Sequence, residues 1–267
     1  MVKPLPLHAA RPSDWPHLQG VFTDIDDTLT EGGRLVPEAF AALAALREAG
    51  FRIVPVTGRP IGWVDCIART WPVDAVVGEN GGLWAWVGAD GRMVHRFAQP
   101  SETRRANRAR LDDAAADILA RVPGAALASD QPFRALDLAI DWCEDVPRLS
   151  QASVDAIVAS FQAIGATCKV SSIHVNGWFG DFDKRSGVRD LVRERWDEDL
   201  DPAAWAFVGD SANDEPLFSL VDASFGVANV ADFLDRMSVA PRFIAPSRGG
   251  RGFAEVAELL LRSRRVS

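Results

Sequence analysis

Cysteine is scarce in this chain of 267 residues: only Cys66, Cys143 and Cys168. Three thiols far apart, with no Cys-x-x-Cys or Cys/His spacing, leave neither a disulfide framework nor a thiolate metal site. They read as ordinary buried thiols in a reducing compartment. Positive charge is in deficit as well, with 29 Lys and Arg against 37 Asp and Glu and a net charge of −8. A general nucleic-acid binder would show a basic face, so the charge argues against that class. An anionic small molecule is not, because a local Lys/Arg cluster with a metal can hold a phosphate inside an acidic protein. No apolar run reaches about 18 residues, so nothing is expected to span a bilayer. The stretch 1–20 is proline-rich and lacks a continuous apolar run, which fits neither a signal peptide nor an anchor. A cytoplasmic location is the expectation. There is no internal repeat and no low-complexity tract, and 48% hydrophobic content suffices for one large domain or two modest ones.

What is present is concentrated in residues 21–30, where apolar Val21-Phe22 runs into Asp24, Asp26 and Asp27 with Thr28 and Thr30 behind. Carboxylates this dense at the end of a buried strand repel one another and resist desolvation, and a divalent cation relieves both. A solvated acidic turn or a helix cap is the plain alternative. An EF-hand loop fits badly, because Leu29 stands where the sharp turn needs Gly and Leu35 where a bidentate Glu is needed. Side chains two apart on an extended segment share a face, so Asp24 and Asp26 are expected to point at one pocket. In an open α/β sheet such pockets lie just beyond the carboxyl ends of the strands. There Asp24 can attack phosphorus, and Asp26 can move a proton on the entering or leaving oxygen.

Downstream, the pattern predicts a helix over 36–49 with Pro37 near its start and Gly50 as its stop. A strand over 51–56 follows, running into Thr57-Gly58-Arg59. Strand, helix, strand is a βαβ unit, so the second strand should lie parallel to the first and open on the same sheet edge. Thr57 offers a hydroxyl there, and Gly58 lets backbone approach a ligand, although Thr-Gly is also common in plain turns. A helix over 61–70 and a strand over 75–77 lead to the turn Gly78-Glu79-Asn80-Gly81-Gly82, which lacks a Walker lysine and reads as a hinge or tight crossing. From Leu83 the pattern changes. A hairpin over 83–97, a helix over 102–121, a strand over 134–141, a helix over 154–164 and a last strand over 169–179 form an α+β layer of their own. The core pattern resumes with a helix from Lys184 to Trp196 and a strand over 204–208 ending in Gly209-Asp210-Ser211-Ala212-Asn213-Asp214. A short helix over 216–220, a strand over 225–227, helices over 230–237 and 253–262, and the pair Phe243-Ile244 complete the chain.

Asp24-x-Asp26-x-Thr28, Thr57 at a strand end, Lys184 opening a helix and Gly209-Asp210-x-x-Asn213-Asp214 after a strand resemble, in order and spacing, motifs I to IV of the haloacid dehalogenase-like (HAD) phosphohydrolases. The resemblance covers 21–262. It implies a Rossmann-like α/β core with a parallel sheet flanked by helices, made of residues 1–82 and 181–267. Residues 83–180 would then be an inserted α+β cap of type IIB, as in Cof-like, sucrose-phosphate, trehalose-phosphate and mannosyl-3-phosphoglycerate phosphatases and eukaryotic-type phosphomannomutase. One residue departs from the pattern: Asp27 stands where many Cof-like members have Gly.

The resemblance implies a Mg2+ ion held by the Asp24 carboxylate, the Asp26 backbone carbonyl and the Asp210 carboxylate, oxygen donors that suit a hard cation. It makes Asp24, Asp26, Thr57 and Lys184 the catalytic set, with Asn213 and Asp214 orienting the ligands. The expected activity is hydrolysis of a small phosphorylated metabolite, a sugar phosphate, through an aspartyl-phosphate. A phosphomannomutase-like phosphotransfer and a non-catalytic phosphometabolite-binding module are the alternatives. Nucleic-acid processing is not expected, since the insert has no basic run interleaved with aromatics. Gly58 and Arg59 in the core, and Arg134, His174 and Asn176 at alternating positions on two insert strands, are the candidate substrate contacts, with Arg134 able to grip a second anion. A solvated outer face of the insert sheet is the plain reading of those alternating positions.

Overall fold

The computed structural model describes residues 3–264, so the extreme ends of the core assignment, 1–2 and 265–267, lie outside the described residues. Its centre is a parallel sheet in the order Leu5–Pro6, Phe243–Ile244, Ala223–Gly226, Trp205–Gly209, Gly20–Thr23, Arg52–Pro55. Parallel strands need crossovers that cover both faces, and the two central strands are accordingly buried at every position. On one face, helices Pro37–Glu48 and Gly249–Arg264 pack beside each other through Leu43, Leu46, Val256 and Leu260. On the other, Val188, Leu191 and Val192 of helix Lys184–Trp196 meet Phe22, Val54 and Phe207. Each large side chain fully buried in this way contributes about 1.5–3 kcal/mol.

Strand Val76–Gly78 extends the sheet through a parallel bridge between Val56 and Val77. Here the expected boundary is corrected. The hairpin Leu83–Val87/Met93–Phe97 pairs antiparallel with Val76–Gly78 and shares the core's hydrophobic clusters through Leu83, Ala85, Trp84 and Trp86. It therefore continues the core, and the separate layer begins near helix Ser101–Arg121.

That layer is an antiparallel sheet in the order Thr167–Val170, His174–Trp178, Leu138–Asp141, Ala126–Leu127. One face packs on helices Ser101–Arg121 and Gln151–Ala163 through Leu111, Ile118, Ile157 and Phe161 against Leu138, Ile140 and Val175. The other face is turned to the core and buried there, including Asp137, Asp141, His174 and Asn176, so these residues are not a solvated outer face.

Five further expectations are revised. The strand over 134–141 is ordered as a strand only from Leu138, because the backbone N–H groups of Ala135, Leu136 and Asp137 donate to the Glu79 carboxylate instead of to a ladder. The strand over 169–179 is a hairpin broken at Ser171, whose hydroxyl accepts from the N–H groups of Ile173 and His174. The helix over 230–237 is two 3-10 turns, Ala228–Asp232 and Leu234–Arg236, the first tied down by Asn229, which donates to the Asp27 carbonyl. The closing helix starts earlier than expected, at Gly249, so the glycine run lies inside it. The thiols are less buried than expected: Cys66 is exposed, and Cys143 and Cys168 are partly so.

Candidate active site

The ladder between the two central strands extends one residue past Thr23, with the Asp24 N–H donating to the Val208 carbonyl at 2.9 Å. This holds Asp24 at the carboxyl edge beside Asp210. Next along that edge, the Thr57 N–H donates to the Val77 carbonyl, and its hydroxyl accepts from the Arg59 N–H at 3.0 Å, which leaves the hydroxyl proton free to be given. Lys184 is aimed by two glycines. A Cβ on Gly81, where φ is +101°, would sit 1.9 Å from the Asp183 carbonyl, and one on Gly187 would sit 2.6 Å from the Gly81 Cα. The turn expected as a hinge or tight crossing thus lies directly against the first turn of the lysine's helix. Asp183 caps that helix by accepting from the Ser186 N–H.

Lys184 Nζ donates to Asp24 Oδ1 and to Asp214 Oδ1, both at 2.7 Å. Burial disfavours its ammonium, but Asp214 and Asp24 outweigh this and raise its pKa above the ordinary lysine value. The second Asp214 oxygen accepts from the N–H groups of Asp210 and Ser211 at 2.9 and 3.3 Å. Asp214 is therefore fully used in holding the lysine and the Asp210 turn. Asn213 accepts from the Ser211 hydroxyl in the same turn. Burial pushes the Asp24 carboxyl well up, opposed by Lys184, and pushes up that of Asp210, reinforced by Asp24 and Asp214.

The donors fit a hard cation. Carboxylate oxygens of Asp24, Asp210 and Asp214 lie within 4.8 Å of one another. Asp210 Oδ2 is buried with no hydrogen-bond partner among the described residues. An orphaned carboxylate oxygen in a dry site costs several kcal/mol unless a cation meets it, roughly the penalty of any uncompensated buried charge.

Asp26 turns toward the insert. Arg59 donates to its carboxylate from Nε at 3.1 Å and from Nη2 at 2.8 Å. The same guanidinium reaches Glu144 at 2.6 Å and Asp130 at 3.4 Å, and lies over the Trp63 ring. Burial opposes ionisation of Glu144, but His174 Nε2, 2.7 Å away, and Arg59 hold its carboxyl down at about 2. Arg134 does not open toward the pocket. Its guanidinium is spent on Asp130, on Asp137 and on the Gly58 carbonyl at 2.8 Å, and its side chain is fully buried. Asn176 donates to Asp137 at 2.8 Å while still lining the pocket. Asp141 accepts from the N–H groups of Cys143, Glu144 and Asp145.

The structure therefore brings Asp24, Asp26, Gly58, Arg59, His174, Asn176, Asp210 and Asn213 around one cavity, with Lys184 and Asp214 just beneath. Its volume is about 20 Å³, room for about one water. Beside it, sharing Asp210 and Ser172, runs a groove of about 680 Å³ lined also by Asp27, Trp142, Arg148, Arg236 and Arg248. Asp27 is left-handed at φ +60°, a conformation glycine adopts freely. Burial pushes its carboxyl up, opposed by Ser172 of the insert and by the nearby Arg248 and Arg148. Glu144, Asp130 and Glu79 escaped the sequence reading, since each acts on a residue more than fifty positions away.

Residues 21–103 match the family model of haloacid dehalogenase-like hydrolases. No curated protein sequence matches the chain. Among solved structures, a HAD/COF-like hydrolase of Plasmodium vivax is similar at 17% identity and a TM-score of 0.66, covering 94% of this chain and 97% of its own. The C-terminal domain of C. albicans trehalose-6-phosphate phosphatase is similar at 13% identity and a TM-score of 0.68, covering 97% and 98%. The sucrose-phosphatase of Synechocystis, solved with sucrose and phosphate, is similar at 16% identity and a TM-score of 0.62, covering 91% and 98%. At these identities the likeness is one of fold.

Proposed function

From a chain with the haloacid dehalogenase-like fold and a type IIB cap, we propose a Mg2+-dependent phosphoric monoester hydrolase acting on a small phosphorylated metabolite, a sugar phosphate. One observation carries the reading: Lys184 bridges Asp24 and Asp214 beneath a pocket into which Asp210 presents an oxygen with no hydrogen-bond partner among the described residues. Phosphoryl transfer asks a protein mainly for positioning and charge neutralisation, and this arrangement supplies both.

In the proposed mechanism Asp24 Oδ attacks phosphorus and forms an aspartyl-phosphate as the ester oxygen leaves. Asp26 gives that oxygen a proton and then removes one from the water that releases phosphate. Lys184 offsets charge on the transferring group, and the Thr57 hydroxyl donates to its oxygens. Bound Mg2+, held by Asp24, the Asp26 carbonyl and Asp210, would supply the positive charge that lets an anionic carboxylate approach an anionic phosphate. A cavity of about 20 Å³ is too small for phosphate, so the cap lifts to admit substrate, and Arg59 exchanges partners as it does so. Among the described residues no helix is long and apolar enough to cross a membrane. A cytoplasmic enzyme with no nucleic-acid partner is part of the proposal, supported by the acidic charge and free thiols.

The test is release of inorganic phosphate across a panel of sugar phosphates and other phosphometabolites, with and without Mg2+. Release that needs Mg2+ and disappears in Asp24→Asn supports the reading. No release from any compound, or release that survives that substitution, overturns it.

A further inference from the structure

We infer that the groove beside the reaction pocket is a second anion site, so that the preferred substrate carries, besides its phosphoryl group, another negatively charged group on the part that leaves. This rests on the phosphatase reading and narrows its substrate class. The groove, about 680 Å³, opens onto the pocket through Asp210 and Ser172 and is large enough for a sugar-sized leaving group.

The charges around it are unequally matched. Arg248 is paired with Asp232 at 2.5 Å, Glu31 faces Arg251, and Asp210 belongs to the reaction pocket. Arg148, by contrast, makes no ion pair among the described residues: Asp27 is its nearby carboxylate in the groove but lies beyond ion-pair distance, and the Arg148 guanidinium lies over the Trp142 ring at 4.5 Å. Among the described residues the Arg236 guanidinium bonds only a neutral amide, donating to Gln151 Oε1 at 3.2 Å. Two guanidinium groups that make no ion pair among the described residues thus flank one groove, on opposite sides of the seam between the domains. Arg148 stands in the cap before helix Gln151–Ala163, and Arg236 stands in the core after the Asp210 turn. A planar fork of N–H donors matches carboxylate and phosphate oxygens. An anion held between the two would tie cap to core and favour the closed state in which the reaction pocket is complete.

The test uses matched probes that differ in the second charge: 3-phosphoglycerate against glycerol 3-phosphate for a carboxylate, and glucose 1,6-bisphosphate against glucose 6-phosphate for a phosphate. Binding is measured by calorimetry to the Asp24→Asn protein with Mg2+, and kcat/KM with the unaltered enzyme. In at least one pair the compound with the second anion should bind about tenfold or more tightly, the worth of charge-assisted hydrogen bonds. The pair that discriminates identifies the anion. Arg148→Gln or Arg236→Gln should shrink that ratio to near unity, and so should the double variant. Equal affinities within both pairs, or a ratio unchanged in the double variant, overturns the site. Because the binding arm needs no turnover, absence of phosphate release from every compound counts against the hydrolase reading alone.

Discussion

One guanidinium is shared across the two domains: Arg59 Nη2 lies 2.8 Å from the Asp26 carboxylate of the core and 2.6 Å from the Glu144 carboxylate of the cap. The residue assigned proton transfer is therefore tied to cap position. A second tie runs the other way, from Arg134 of the cap to the Gly58 carbonyl of the core.

Replacing Glu144 by Gln removes the cap's half of the first tie. Hydrogen bonds to charged groups contribute about 1.5–3 kcal/mol, so amide exchange over 141–145 and 171–174 should quicken by roughly tenfold or more. Unchanged exchange would show that Arg59 does not restrain the cap. The pH dependence has a definite sign. A carboxyl held at about 2 instead of the usual 4.5 gives its full stabilisation above the higher value and loses it as pH falls toward the lower. The gap in Tm between the parent and Glu144→Gln should be flat at neutral pH and narrow in acid.

Asp26 and Asp210 should separate in a magnesium titration of Tm. Asp26→Asn keeps its backbone carbonyl and should retain magnesium stabilisation, about 2.7 kcal/mol at a hundredfold excess over Kd, while turnover falls on the order of 100-fold. Asp210→Asn should lose most of that stabilisation. It should also be more stable than the parent in metal-free buffer at neutral pH, because the buried carboxyl it removes has its pKa pushed up and is costly once ionised. Identical titrations for the two variants would contradict the assignment.

Arg134→Ala should act on stability, not selectivity. It strands the buried carboxylates of Asp130 and Asp137, and removing one partner of a buried pair costs about 3–5 kcal/mol. Denaturant midpoints measure this, and a wild-type midpoint would rule out the packing role. Arg134→Lys should recover only part of the loss, since one ammonium cannot reproduce the fork.

Glu79 sits left-handed, at φ +44°, in the crossing turn and accepts from the N–H groups of Ala135, Leu136 and Asp137. Burial, helped by Asp137, pushes its carboxyl up to about 7. A raised acid costs stability as it ionises, so the protein should lose stability as pH climbs from 4.5 toward 7. Glu79→Gln should abolish that slope. It should also lower Tm throughout, because its amide turns a donor toward backbone donors. A slope unchanged in the variant would assign the titration to another group.

The core was legible because its signals are local. An apolar run ending in Asp24 or Asp210 announces both the strand and the side chain at its tip, and Pro37 and Gly50 punctuate the helix between. Asp27 could be noticed as a departure, though its left-handed backbone could not. The cap misled where a local pattern met a distant partner. Leu136, Leu138 and Ile140 alternate like a strand, yet the first part of that segment spends its N–H groups on Glu79, far back in the chain. Arg134, read as reaching for substrate, reaches for Asp130, Asp137 and Gly58. Glu144 carries no motif, and only folding brings it to Arg59.

The order of strands in the sheet has a consequence for the birth of the molecule. Gly20–Thr23 finds one neighbour in Arg52–Pro55 and the other only in Trp205–Gly209, while Leu5–Pro6 pairs with Phe243–Ile244. On the ribosome, the strand that ends at Asp24 thus waits with an open flank until the sequence beyond the insert has emerged. The insert's own sheet and helices draw on residues 101–178 alone and can assemble first. A nascent chain stalled after the insert would display a finished roof above a sheet with an unpaired inner edge, the kind of surface that invites pairing with the wrong chain. Asp24 and Asp210 can meet only once the strand Trp205–Gly209 has been made.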